Sequence, residues 1–277
     1  MSSRDVITIE EDVALSDDKC RKSTGCSTKG STLCNSNNVV ILTQKVIAEA
    51  IGTYFLMFVG CGSVAVNKIY GGSVTFPGIC AAWGLIVMVL IYSVGHISGA
   101  HFNPAVTIAF AIFRQFPYKQ VPLYMLAQFL GSILASGTLY ILFDVRKEAY
   151  FGTVPVGSNV QSLAIEFIIS FLLMFVISGV ATDNRAIGEL AGIAIGMTIL
   201  TNVLVAGPVS GASMNPARSV GPAVVMHEYK GLWVYIVGPL LGTILGGFTY
   251  NLIRFTDKPL RELTKTASIL KSASRAF

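Results

Sequence analysis

The sequence predicts an all-α membrane protein, with six transmembrane helices plus two re-entrant half-helices arranged as inverted three-span repeats. Three observations carry this. The apolar residues fall into six runs of membrane length. The two halves of the chain match segment by segment. One stretch is written twice, as "SGAHFNPAV" at 98–106 and "SGASMNPAR" at 210–218, and each copy leads into an apolar run too short to span.

The chain is 53% hydrophobic and only 13% charged, where a soluble domain carries about 25% charged residues. A large soluble core could match that composition, but its apolar residues would not segregate into runs of about 20 residues each. The net charge of +5 is no nucleic-acid signal, because the positive residues sort by side. With six spans both termini lie on one face. The N-terminal segment, the connections after spans 2 and 4, and the C-terminal segment then hold fifteen Lys and Arg. The opposite face holds four, Lys68, Arg146, Lys147 and Lys230. The positive-inside rule places both termini in the cytoplasm. Arg218 belongs to neither count.

Taken in order, residues 1–38 are polar, have no apolar run and predict a disordered tail. No signal peptide is expected. Cys20, Cys26 and Cys34 in this tail fit neither a disulfide framework nor a zinc spacing, and Cys61 and Cys80 are expected to pack within spans. Span 1 covers roughly 44–66 and contains "EAIGTYFLMFV" from Glu49. Span 2 covers 75–95, and the first short run, "AVTIAFAIF", covers 105–113. Span 3 covers 120–143 with "YMLAQFLGSIL" from Tyr124. A Gly- and Pro-containing linker, 145–159, follows. Span 4, 160–181, contains "EFIISFLLMFV" from Glu166, in register with span 1. Span 5 covers 189–207, and the second short run, "ARSVGPAVV", covers 217–225. Span 6, 231–253, contains "YIVGPLLGTIL" from Tyr235, in register with span 3. Three spans per half is odd, so the second half enters the bilayer from the other side.

The duplicated stretch is a helix start. Asn caps through its side-chain oxygen and Pro is favoured at the first helical position, so Asn103-Pro104-Ala105 and Asn215-Pro216-Ala217 each open a half-helix. Ten residues reach about 15 Å. Two such pieces entering from opposite faces therefore meet near the midplane of a core about 30 Å thick. With both oxygens used as caps, the two amide NH2 groups are expected to remain free and face one point. Two positive dipole ends converge there as well. Such a place suits a hydrogen-bond-accepting oxygen and repels cations, hydronium included. Arg218 ends only the second copy. An arginine at this depth must face water or a partner, so it either lines an aqueous path as a cation barrier or sits in a structural ion pair. Glu49 and Glu166, matched inside spans, either relay protons or hold the adjoining loops. His101 lines the cytoplasmic vestibule or gates with pH, or packs with a hydrogen bond.

Two Asn-Pro-Ala motifs, the trailing Arg218, six spans and the Glu49/Glu166 pair together resemble the major intrinsic protein family of aquaporins and aquaglyceroporins. The match covers about residues 40–255. "GHISGAHFNPAVT" and "GPVSGASMNPARS" are similar to the plant nodulin-26-like branch, first subgroup. The resemblance implies a cytoplasmic tail over 1–38, a channel domain over 39–255 (repeats 44–144 and 160–254) and a cytoplasmic tail over 256–277. It implies a selectivity filter of Trp83, Val203, Ala212 and Arg218, with Glu49 and Glu166 supporting the loops. Strict water channels of the family have a histidine at the span 5 position and usually a phenylalanine at the span 2 position. This chain has Val203 and Trp83 instead. The expected opening is wider and more apolar on one side, with Arg218 donating on the other, which suits glycerol.

The resemblance further implies a homotetramer with one pore per chain in a lipid bilayer. The plasma membrane is the expected host, with a specialised intracellular membrane as the alternative. It also implies a C-terminal phosphoserine. Ser268, three residues after Lys265, is the expected kinase target, with Ser272 and Ser274 competing. The chain shows no phosphate loop, catalytic triad context or metal cluster, so neither enzymatic activity nor a cofactor is expected. The expected function is passive passage of water and small uncharged solutes, chiefly glycerol. A metalloid channel (boric acid, arsenite), a proton-coupled secondary transporter and a membrane scaffold are the alternatives.

Overall fold

The computed structural model describes residues 28–186 and 188–254. The chain ends, including Ser268, Ser272 and Ser274, lie outside the described residues. Among the described residues eight α-helices follow one another: α1 Thr28–Ile69, α2 Phe76–Ser98, α3 Pro104–Ile112, α4 Val121–Leu142, α5 Asn159–Thr182, α6 Ala191–Ser210, α7 Pro216–Met226 and α8 Val234–Ile253. Among the described residues there is no strand. Six helical stretches among the described residues are long and apolar enough to cross a bilayer, from Asn37–Ile69 to Val234–Ile253. The two short helices, α3 and α7, sit where the Asn-Pro-Ala runs were expected. Helix α1 starts at Thr28, inside the segment expected to be a tail.

Local chemistry sets several boundaries. Thr75 caps α2 by accepting from the Gly78 amide, and Ser158 caps α5 by accepting from Gln161. Helices α2 and α6 both end on a left-handed glycine, Gly99 and Gly211, the residue that reverses chain direction without a Cβ penalty.

The packing is that of a repeat related by an approximate two-fold. Helix α1 packs on α4 and α2, as α5 packs on α8 and α6. The half-helices are exchanged: α3 lies against α8, and α7 against α4. Two contacts lie on the pseudo-axis, α2 with α6 and α3 with α7. The first is glycine on glycine. A Cβ on Gly84 would come within 2.6 Å of the Gly196 carbonyl, and one on Gly196 equally close to that of Gly84. Backbones approach this closely in membranes because van der Waals packing, not water exclusion, joins the helices.

The bundle is apolar outside, and its largely apolar core also holds buried polar residues. Leu126, Leu130 and Leu134 on α4, and Leu241 and Leu245 on α8, are exposed, as lipid contact requires. Glu49, Gln128, Glu166, Asn202 and Arg218 are buried. Cys61 and Cys80 are buried free thiols.

Candidate functional site

Each half-helix is opened by its asparagine. Asn103 Oδ1 accepts from the Ala105 amide at 2.9 Å. Asn215 Oδ1 accepts from Ala217 at 2.9 Å and from Arg218 at 3.4 Å. Both backbones are extended at the cap, with Pro104 and Pro216 at the first helical position. The caps form as the sequence suggests, but the amide groups are not left free. Asn103 Nδ2 donates to the Met214 carbonyl at 2.8 Å, and Asn215 Nδ2 donates to the Phe102 carbonyl at 2.9 Å. Each asparagine thus ties its own helix to the residue that precedes the other asparagine. The physical reason is depth: where α3 and α7 meet, an unpaired loop carbonyl is costly, and the nearest donor is the opposing cap. One N–H of each amide is spent this way and one remains.

The chain reaches each cap through left-handed backbone. Gly99, Ala100 and Phe102 have φ of 88°, 51° and 48°; Gly211, Ala212 and Met214 have 82°, 48° and 56°. Non-glycine residues persist there only when the surroundings over-determine them, and two buried carboxylates do so. Glu49 Oε1 accepts from the His101 amide and Ser98 Oγ, at 2.9 and 2.8 Å. Its Oε2 accepts from the Phe102 amide and Gln128 Nε2, at 2.7 and 2.9 Å. Glu166 repeats the pattern, taking Ser210 Oγ at 2.6 Å, the Ser213 amide at 2.8 Å and the Met214 amide at 2.9 Å. Two tyrosines complete the frame. Tyr124 donates to the Ser98 carbonyl at 2.8 Å and Tyr235 to the Ser210 carbonyl at 2.7 Å.

Beside the two caps runs a cavity of about 130 Å³. Helices α1, α2, α5 and α6 give it Leu56, Val87, Ile91, Leu173, Ile177, Ile195 and Ile199. The loops give it Asn103, Ser213 and Asn215, and α7 gives it Arg218. Trp83, Val203, Ala212 and Arg218, which the sequence places far apart, all line it, and each is at least 94% shielded from solvent. The Arg218 guanidinium carbon lies 4.8 Å from the Trp83 ring centroid, within cation–π range. Its Nη2 donates to the Gly211 carbonyl at 3.3 Å, while Nε and Nη1 have no protein partner. Among the described residues no carboxylate lies within ion-pair distance of Arg218, so the ion-pair alternative is not realised.

His101 also borders the cavity. Its ring sits among Phe110, Phe116 and Tyr124, with centroids 4.8 to 5.2 Å away. Its Nδ1 lies 3.1 Å from Thr107 Oγ1. The hydroxyl proton of Thr107 goes to the Asn103 carbonyl, so Nδ1 is the donor in that pair. The ring is packed and hydrogen-bonded at the border of the cavity.

Two half-spanning helices locked cap to cap beside a polar-and-apolar conduit, inside six spans folded as a repeat, define a membrane channel. Three comparisons say which. The family described as "Major intrinsic protein" matches residues 36–250. The chain is 70% identical over 263 residues to a probable aquaporin NIP-type from Nicotiana alata, covering 95% of this chain and 97% of the relative. It is 62% identical over 228 residues to nodulin-26 from Glycine max, covering 82% and 84%. The structure of the aquaglyceroporin from Plasmodium falciparum superposes with a TM-score of 0.70 at 27% identity, covering 76% of this chain and 96% of that one. The chain belongs to the major intrinsic protein family and is an aquaporin channel of its plant nodulin-26-like branch.

Proposed function

We propose that the solutes of this channel are small and uncharged, chiefly glycerol with water, and that Trp83, Val203, Ala212 and Arg218 select them. The observation that supports this reading is the shape of the polarity around the conduit. At Arg218 two guanidinium nitrogens, Nε and Nη1, have no protein partner, while Val203, Ala212 and the indole of Trp83 supply apolar surface. A polyol has a hydroxyl edge and a carbon edge, and this ring offers a partner to each. A side chain that donated from the Val203 position would favour water alone.

Exclusion of protons and ions follows from the same parts. Arg218, two converging helix dipoles and the remaining amide N–H of Asn103 and Asn215 all favour accepting oxygens and disfavour cations. Glu49 and Glu166 are unsuited to a proton relay. Each is fully shielded and already accepts three or four hydrogen bonds that hold the loops.

Stopped-flow light scattering on proteoliposomes tests this, with water, glycerol, urea and boric acid compared at one protein density. The wild type should pass glycerol in proportion to its gradient, without response to an imposed pH gradient. Val203→His should lose about tenfold in glycerol permeability, on the scale of a pocket that discriminates by shape, and retain water. If both fluxes change together, these four residues are not the filter. A boric acid flux well above that of glycerol would move the solute assignment to metalloids.

A further inference from the structure

The two half-helix loops are held by the same kind of clasp, but a different element closes each one. In the first loop Thr107 Oγ1 donates to the Asn103 carbonyl at 2.9 Å and accepts from Gln128 Nε2 at 2.9 Å. Gln128 belongs to α4, a spanning helix. In the second loop the equivalent of Thr107 is Ser219, and the helix position equivalent to Gln128 is Pro239, which has no amide to give. Ser219 is closed from elsewhere. Its Oγ lies 2.6 Å from Thr153 Oγ1, and Thr153 belongs to the connection between α4 and α5.

Proton counting gives this clasp a direction. Ser213 Oγ donates to the Asn215 carbonyl at 2.9 Å, which uses its only proton. The contact between Ser213 and Ser219 at 2.7 Å must therefore run from Ser219 to Ser213. Ser219 has then spent its proton, so Thr153 donates to Ser219. A single relay runs from Thr153 through Ser219 and Ser213 to the backbone of Asn215. Thr153 also borders the loop at Gly211. A Cβ on Gly211 would meet Thr153 Cγ2 at 3.1 Å, and the Gly211 carbonyl is the acceptor for Arg218 Nη2. Thr153 thus hydrogen-bonds the residue after Arg218 and borders the glycine whose carbonyl accepts from its guanidinium. Thr153 is itself pinned. It is 3% exposed, and its segment is anchored by Lys68 Nζ to the Tyr150 carbonyl at 2.6 Å and by the Val156 amide to the Val209 carbonyl at 3.2 Å.

We infer that Thr153, in the connection between the two repeats, is a positioning and specificity-determining residue that fixes the Arg218 guanidinium in the conduit. Selectivity therefore depends on a segment outside both repeats. The inference rests on the filter reading above, with Arg218 as the donor edge for polyols.

The test is the ratio of glycerol to water permeability in proteoliposomes of the full chain. That ratio is independent of how many channels fold and insert. Thr153→Val keeps the methyl packing on Gly211 and removes the donor. It should lower the ratio about fivefold, the scale of one lost hydrogen bond. Thr153→Ser keeps the donor and should hold the ratio within about twofold of wild type. Ser219→Ala, which breaks the relay one step on, should match Thr153→Val. An unchanged ratio in Thr153→Val overturns the inference. So does an equal loss in Thr153→Ser, which would make the threonine a matter of packing. Wild-type vesicles separate the two ideas. If they pass water and no glycerol, the polyol reading fails, and Thr153 is then judged on water flux per channel, where an unchanged Thr153→Val overturns it.

Discussion

The guanidinium of Arg218 lies over the indole of Trp83, with Cζ 4.8 Å from the ring centroid, and what allows it is a glycine on a third element. Gly60 of α1 faces the ring, and a Cβ there would come within 2.4 Å of the indole Cε3. The ring has Arg218 on another side, so it cannot retreat without entering the conduit. Gly60→Ala should therefore cut glycerol flux more than water flux. The cost in stability should be about 1–3 kcal/mol, as overpacking usually brings. Pairing it with Trp83→Leu should recover the water flux, since the clash goes with the ring. Failure of the double variant to recover water flux would show that Gly60 acts on something other than Trp83.

The crossed amide bonds give Asn215→Asp a specific outcome. The carboxylate can still cap α7 through oxygen, so the half-helix should persist. It cannot donate to the Phe102 carbonyl, which loses its 2.9 Å partner, at about 1–3 kcal/mol. It also places a negative charge where two positive helix ends meet. Cation or proton leak should rise while neutral solute flux remains, as read by a pH-sensitive dye inside vesicles under an imposed potential. An unchanged leak would mean that Arg218 alone suffices as the barrier.

Much of this arrangement was legible in the chain because its signals are local or repeated. Six apolar runs needed only counting, and Asn-Pro announces a capped helix wherever it stands. The pairing of Glu49 with Glu166 was visible as a repeat, and loop support was one of the two readings it allowed. The crossed bonds of Asn103 and Asn215 were not legible, because a donor in one half meets a carbonyl more than a hundred residues away and no periodicity reports that. Tyr124 and Tyr235 were in view as repeat matches, yet nothing local says that their hydroxyls hold Ser98 and Ser210. Gln128 carried a usable hint, a polar residue within a span at the position that Pro239 holds in the other repeat. Thr153 carried none, since it lies in the linker, outside the symmetry that made the rest readable.

The charge bias makes a separate claim about orientation, with both chain ends on the cytoplasmic side. No Asn-x-Ser/Thr sequon occurs in the sequence, so an introduced one is a clean reporter. A sequon built into the exposed turn near Lys147 should be glycosylated during insertion into microsomes, and one built near Arg185 should not. The reverse pattern would invert the topology and place Arg218 toward the cytoplasmic mouth.

The two loop-holding carboxylates differ in one respect that predicts unequal consequences. Glu49 receives four hydrogen bonds, the fourth from Gln128 Nε2. Glu166 receives three. Replacing either with glutamine keeps the volume and turns one acceptor oxygen into a donor that faces other donors. At Glu166 the amide group can be turned so that its NH2 meets only the Met214 amide, leaving the Ser210 and Ser213 bonds intact. At Glu49 one orientation sets Phe102 and Gln128 against it, and the other sets the His101 amide against it and forces the Ser98 hydroxyl to turn from donor to acceptor. Glu49→Gln should therefore destabilise more than Glu166→Gln, with each unmade bond costing about 1–3 kcal/mol. Thermal unfolding of the purified variants in one detergent measures the difference. Equal losses would mean that Gln128 follows the side chain and gives its proton to Thr107 alone.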